Sequence, residues 1–217
     1  MLLAFDTATQ FASIALYDGE AVRAELNWRT NRRHTVELAP QVDNLMRLAG
    51  IAPHEITALA AGIGPGSYTG TRIALSFAKG VALARNLPLM GVPILDALAY
   101  PHLPQPTPLC TLAAAGRGRY VWALYRGDSP QPRRLGDFHL DKLPELLAHL
   151  QPPLLFVGEL DADARAFLTQ TWGEENAILA SPAQATRRAG ALAELAWLRL
   201  QAGEIDDPIS LSPIYLT

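Results

Sequence analysis

The chain has 217 residues, enough for one large domain or two small ones with a substantial core. Apolar residues make up 49% and charged residues 18%, a well-packed globular profile, and a net charge of −3 excludes the global basic field of a stand-alone nucleic-acid binder. A single cysteine, Cys110, excludes an internal disulfide, and its setting PLCTLAA reads as a buried strand.

The start, MLLAFD, lacks the basic region of a signal peptide, and no apolar run approaches the ~20 residues that span a bilayer, so a soluble, cytoplasmic protein is expected. Residues 1–5 read as a short apolar strand, and Asp6-Thr7-Ala8-Thr9 as a polar turn. Residues 12–17 alternate and end at Asp18-Gly19, a hairpin signal; residues 21–28 give a third, loosely alternating strand. A helix starts at His34 or Thr35 and stops at Gly50, with Leu38, Val42, Leu45, Met46 and Ala49 as its amphipathic stripe and Pro40 tightening its first turn. A strand over 56–63 enters a glycine-rich loop. The helix that follows, over 73–85, carries Ile73, Phe77, Val81 and Ala84 on one face with Ala74, Ala78 and Ala82 beside them. A short strand (89–92) and a short helix (93–100) complete this half.

Residues 101–108, PHLPQPTP, hold four prolines and mark a boundary. Beyond it the pattern restarts: strands over 109–114, 120–126 and 134–140, a helix over 141–150 capped by Asp141, a strand over 154–157, a helix over 162–172 and a strand over 177–179. A long alanine-leucine helix over 185–202 and an extended tail follow. Both halves begin strand-strand-strand-helix-strand-helix. Two tandem βββαβα units are the α/β, actin-like (ASKHA, ribonuclease H-like) fold, here with halves over 1–100 and 101–217 and a tail free to return to the first half. One doubly wound sheet is the competing architecture.

The loop GIGPGSYTGTR carries the densest signal. Gly62, Gly64, Gly66 and Gly70 with Pro65 imply positive φ or backbone that comes very close to another body. Ser67 and Thr69 are suitable helix N-caps. Arg72 falls in the first helical turn, where the macrodipole disfavours a cation by roughly 0.3–1 kcal/mol, which points to a nearby anion: a carboxylate of this chain or a ligand phosphate. An exposed arginine after a tight strand-to-helix turn is the plainer alternative. The loop matches neither the Walker pattern nor the dinucleotide G-x-G-x-x-G nor a nucleophile elbow.

In a tandem fold of this kind each first hairpin turn is offered to nucleotide phosphates. Asp6, Thr7, Thr9 and Ser13 fit such a turn, with the carboxylate orienting a metal-bound water and the hydroxyls meeting phosphate; equally, Asp6 can cap its own turn. The second turn, Ala113-Ala114-Ala115-Gly116, has no acid, and the adenosine-side loop has only Gly158-Glu159. An ATP-dependent small-molecule kinase or ATPase needs both acids. The five histidines make no H-x-x-x-H pair, so no metal site is expected, and a Ser67–His34–Asp6 triad has no support in the spacing.

LLAFDTATQFASIALYDG, the segment from His34 to Pro40, GIGPGSYTGTRIALSFAKGVA, YVWALY and the closing PIYLT resemble the TsaB family, also called YeaZ, most densely over residues 1–98. The resemblance implies an actin-like fold without catalysis or cofactor of its own. It implies an accessory subunit for threonylcarbamoyl-adenosine on transfer RNA, paired with a catalytic relative, TsaD, and joined by an ATPase, TsaE. Transfer RNA would be reached through that complex, and self-association of the chain alone is left open. The catalytic relative's metal-binding H-x-x-x-H is here His34 and Leu38, and the family's Asp-Ala-Arg is Ala114-Ala115-Gly116-Arg117. In the family the two N-domain helices form the dimer surface, which assigns Val36, Leu38, Val42, Leu45, Met46, Ile73, Leu75 and Phe77 to a partner interface. The surplus apolar residues Val36, Leu48 and Leu75 agree with that, unless the second domain covers them.

Overall fold

Residues 1–31 and 33–216 are described by the computed structural model; the closing Thr217 of PIYLT lies outside the described residues. The chain divides into two compact units, one of Met1–Ala97 with Arg188–Tyr215, the other built on Leu98–Arg187.

The first unit contains β1 (Leu2–Asp6), β2 (Phe11–Tyr17), β3 (Val22–Arg29), α1 (His34–Ala49), β4 (Ala58–Gly62), α2 (Tyr68–Arg85), β5 (Leu89–Val92) and the start of α3 (Ile94–Ala99). Its sheet runs β3-β2-β1-β4-β5, with β2 antiparallel and β4 parallel to β1. β1 is buried on both faces, which is why it reads as a continuous apolar run rather than an alternation. Leu3 and Phe5 meet α1 and α2 through Leu38, Val42, Leu45, Leu75 and Ala78. Each such large side chain contributes about 1.5–3 kcal/mol on burial. Gly50 ends α1 in the left-handed conformation, and Pro40 is accommodated on its exposed side without breaking it.

Two details of the predicted helices change. α2 begins at Tyr68, five residues earlier than predicted, because Ser67 caps it and accepts from the Gly70 amide at 3.2 Å. Its core face is Gly70, Thr71, Ala74, Leu75, Ala78 and Ala82 rather than the Ile73–Phe77–Val81–Ala84 row; small side chains let the helix lie close to the sheet, and Ala84 is exposed.

The second unit contains β6 (Leu109–Ala114), β7 (Arg119–Tyr125), β8 (His139–Lys142), α4 (Leu143–Ala148), β9 (Leu154–Gly158), α5 (Ala162–Trp172) and β10 (Ala177–Leu179), in the sheet order β10-β9-β6-β7-β8. That is the order of the first sheet repeated, so the tandem actin-like fold holds and the single doubly wound sheet does not. β8 starts later than predicted; Arg134 lies outside it and forms an isolated bridge to Tyr125. Cys110 is fully buried beside Phe156 and Leu146, and that desolvation pushes its thiol well above the ordinary range.

The last helix, α6 (Ala189–Gln201), corrects the division at residue 100. Its Leu192, Ala193 and Ala196 cover Leu2, Ala4, Ala15 and Met90 on the face of the first sheet opposite α1 and α2. Its first amides are capped from far away in sequence: Ala189 N donates to Ser13 Oγ at 2.7 Å and Gly190 N to Glu25 Oε1 at 2.8 Å, while Arg188 pairs with Glu25.

Candidate functional site

The body that the glycine loop approaches is the β1–β2 turn of the same chain. A Cβ on Gly70 would collide with the Thr7 carbonyl oxygen, and one on Gly66 would lie 2.6 Å from Ala8 O. Ser67 N donates to that Ala8 oxygen at 2.6 Å. The Thr7 hydroxyl donates to Gly70 O at 2.7 Å and accepts from Ala74 N at 3.1 Å, which clamps the start of α2 to the end of β1. Gly64 is different: its φ of +86° is a conformation that glycine adopts without strain.

The four side chains expected at a phosphate turn are engaged within the protein. Asp6 is buried at the end of β1 and accepts from Ala8 N at 2.8 Å. Thr7 holds α2, Thr9 accepts from Phe11 N at 3.2 Å, and Ser13, opposite Asp6 in register, caps α6. In the second unit the β6–β7 turn runs through Gly116, Arg117 and Gly118, all at positive φ. Its neighbouring amide, Ala114 N, donates to Glu159 Oε2 at 3.3 Å, and Glu159 pairs with the buried Arg187 guanidinium. Among the described residues no cluster of three or more metal-ligating side chains forms.

Arg72 stands between two tyrosine rings. Its guanidinium carbon stands 3.8 Å from the centroid of the Tyr68 ring and 5.5 Å from that of Tyr215, and Nε donates to Tyr215 Oη at 2.6 Å. That hydrogen bond holds the guanidinium above its ordinary pKa. Tyr215 is brought there by the C-terminal tail, whose Ile214 N donates to Ile63 O at 2.7 Å. The Tyr68–Arg72 pair, one helical turn apart, was legible as an i, i+4 stack; Tyr215, 143 residues away, was not.

Beside Arg72 a groove of about 490 Å³ runs between α1 and α2, lined by Thr35, Leu38, Ala39, Thr69, Ile73 and Phe77 among others. Of the eight residues assigned to a partner interface, Leu38, Val42, Leu45, Met46 and Leu75 are buried in the unit's own core. Ile73 and Phe77 pack partly on that core and also line the groove, and Val36 is 59% exposed. The outward face of α2 instead offers Thr69, Ile73, Ser76, Gly80 and Leu83, a 4-3-4-3 spacing that the sequence reading missed.

Two sheets of this order, each opening with a βββ meander, place the chain among actin-like proteins. It matches, over residues 28–207, the family model described as TsaD: tRNA N6-adenosine threonylcarbamoyltransferase. It is 30% identical over 160 residues to the tRNA threonylcarbamoyladenosine biosynthesis protein TsaB of Bacillus subtilis (strain 168), covering 72% of this chain and 70% of that protein. With the TsaB of Escherichia coli (strain K12) it shares 38% identity over 129 residues, 58% of this chain; the match spans only 55% of that relative's length. The solved structure of YeaZ from Pseudomonas aeruginosa superimposes with a TM-score of 0.79 at 26% identity, covering 99% of both chains. The chain belongs to the TsaB (YeaZ) family.

Proposed function

We propose that this chain is a non-catalytic subunit of the machinery that makes threonylcarbamoyladenosine on transfer RNA, and that the α1–α2 face docks a TsaD-type threonylcarbamoyltransferase. The observation that carries the docking surface is Gly80. It sits in the interior of α2 on the exposed side, and a Cβ built there meets nothing within 4 Å. Glycine at such a place costs about 1 kcal/mol relative to alanine and earns nothing within the chain. A second body crossing close to the α2 backbone supplies the reason. Val36, Leu48 and Leu83 add exposed apolar side chains on these two helices, at 59%, 77% and 59% accessible.

Support for a non-catalytic role comes from the two hairpin turns, whose polar side chains and amide are spent on internal hydrogen bonds. A TsaE-type ATPase joins the docked pair, and transfer RNA is met through the partner. Self-association of the isolated chain uses the same face. No helix among the described residues is long and apolar enough to cross a membrane, which suits a cytoplasmic assembly.

Reconstitution of the modification with and without this chain tests the role: product should require the chain, while the chain alone should turn over neither ATP nor transfer RNA. ATP turnover by the purified chain with magnesium would restore the kinase or ATPase reading. For the docking face, Ser76→Trp fills the groove from an exposed position and should abolish capture by the transferase without unfolding the chain.

A further inference from the structure

Arg72 is the charged side chain among the described residues that line the groove. The two tyrosines whose ring centroids lie 5.1 Å apart hold its plane by stacking, and Tyr215 Oη takes Nε. The Tyr215 and Tyr68 hydroxyls both pair with the guanidinium, and its five N–H donors exceed what two phenols accept, so a carboxylate can still pair with it. No carboxylate among the described residues pairs with it; Glu37 on α1 accepts from Trp28 Nε1 at 3.0 Å and faces Arg33. A cation in the second turn of α2, held between two rings and without a carboxylate among the described residues at the mouth of an apolar groove, is set up for a ligand that combines apolar surface with one negative charge.

We propose that Arg72 is a carboxylate receptor: the protein that docks on the α1–α2 face lays a helix into the groove whose apolar side carries one Asp or Glu, and Arg72 pairs with it. This rests on the docking reading above and adds the partner's chemistry. A protein carboxylate fits better than an RNA backbone. RNA presents a run of phosphates that several cations must meet, whereas the groove around Arg72 is built from Leu38, Ala39, Ile73 and Phe77. Tyr215 acts as a positioning residue, since its hydroxyl accepts from Nε and its ring lies beside the guanidinium. Pre-ordering the guanidinium removes much of the side-chain entropy that association would otherwise cost.

The test is binding of the purified chain to a purified TsaD-type transferase across a salt series from low to high ionic strength, with circular dichroism as the folding control. Arg72→Gln should weaken binding roughly tenfold or more at low salt and flatten the salt dependence. Arg72→Lys, which keeps the charge and loses the fork, should recover only part of the affinity and keep the slope. Tyr215→Ala should weaken binding less than Arg72→Gln and leave the slope in place. Unchanged affinity and slope in Arg72→Gln, with Ser76→Trp still abolishing binding, would overturn the carboxylate receptor and leave the docking face standing. Unchanged binding in Ser76→Trp would remove the docking face itself. A loss confined to transfer-RNA binding would assign Arg72 to phosphate and overturn the proposal.

Discussion

Gly80→Ala separates what the chain needs for itself from what its surface needs for a partner. The helical backbone at Gly80 is ordinary, and the added methyl group meets no atom of the chain within 4 Å. The substitution therefore carries the propensity difference alone, about 0.8–1 kcal/mol in favour of alanine. For a chain of this size that raises the melting temperature by about 2–4 °C. Association should move the other way. A Cβ inserted where another backbone packs closely costs about 1–3 kcal/mol, a loss of roughly thirtyfold in affinity near the middle of that range. Thermal or urea denaturation reads the first effect, and titration with the transferase reads the second. A variant that gains stability and binds as tightly as the parent would show that no partner crosses α2 at this position; a variant that loses stability would show that the α2 surface is not open as described.

Four further outcomes follow from the same geometry. Leu45→Ala should cost about 2–5 kcal/mol in urea denaturation, because this side chain is 3% exposed in the core, whereas Val36→Asp on the open side of α1 should stay within about 0.5 kcal/mol. Thr7→Val removes the clamp between β1 and α2 and should cost about 1–3 kcal/mol; an effect below measurement error would refute the clamp. Gly158→Ala should prevent stable folding of the second unit, read by loss of near-ultraviolet dichroism from Trp122, since the new Cβ would collide with Leu112 O and φ is +149°. Asp18 is held below the ordinary carboxylate pKa, chiefly by the Ala21 amide and next by that of Glu20. Its folded value is the lower one, so its contribution is complete above the unfolded pKa and disappears as pH falls through the folded value. The stability gap between parent and Asp18→Asn should accordingly close on acidification below about pH 4, and a gap that widens there would contradict the assignment.

How far the sequence could be read follows from where each contact lies. The tandem βββαβα order was legible because hairpin signals, apolar runs and helix stops are local. The home of α6 was not: ALAELAWLRL is apolar around most of its circumference, so its periodicity cannot say which sheet it covers, and its caps come from Ser13 and Glu25, 176 and 165 residues away. The glycine loop was read as positive φ or a close approach to another body; Gly64 has the first, and Gly66 and Gly70 lie against the β1–β2 turn, which no local pattern names. Composition placed Asp6, Thr7, Thr9 and Ser13 together at one turn; Asp6 and Thr9 bond amides of that turn region, while Thr7 reaches α2 and Ser13 reaches α6. The first helix stripe was found, yet residues that fill a core and residues that meet a partner share the same apolar vocabulary. Leu45 and Met46 proved to be the former, while Val36 and Leu83 remain on the surface.

The placement of α6 also bears on how the protein is made. A ribosome delivers Met1–Ala97 first, then the whole of Leu98–Arg187, and only afterwards the helix that shields Leu2, Ala4, Ala15 and Met90. Until then one side of the earliest sheet is wet and sticky, a nascent surface that chaperones or the finished middle portion of the polypeptide must tolerate. Assembly thus closes like a parenthesis, with a later segment completing the sheet that an earlier one began.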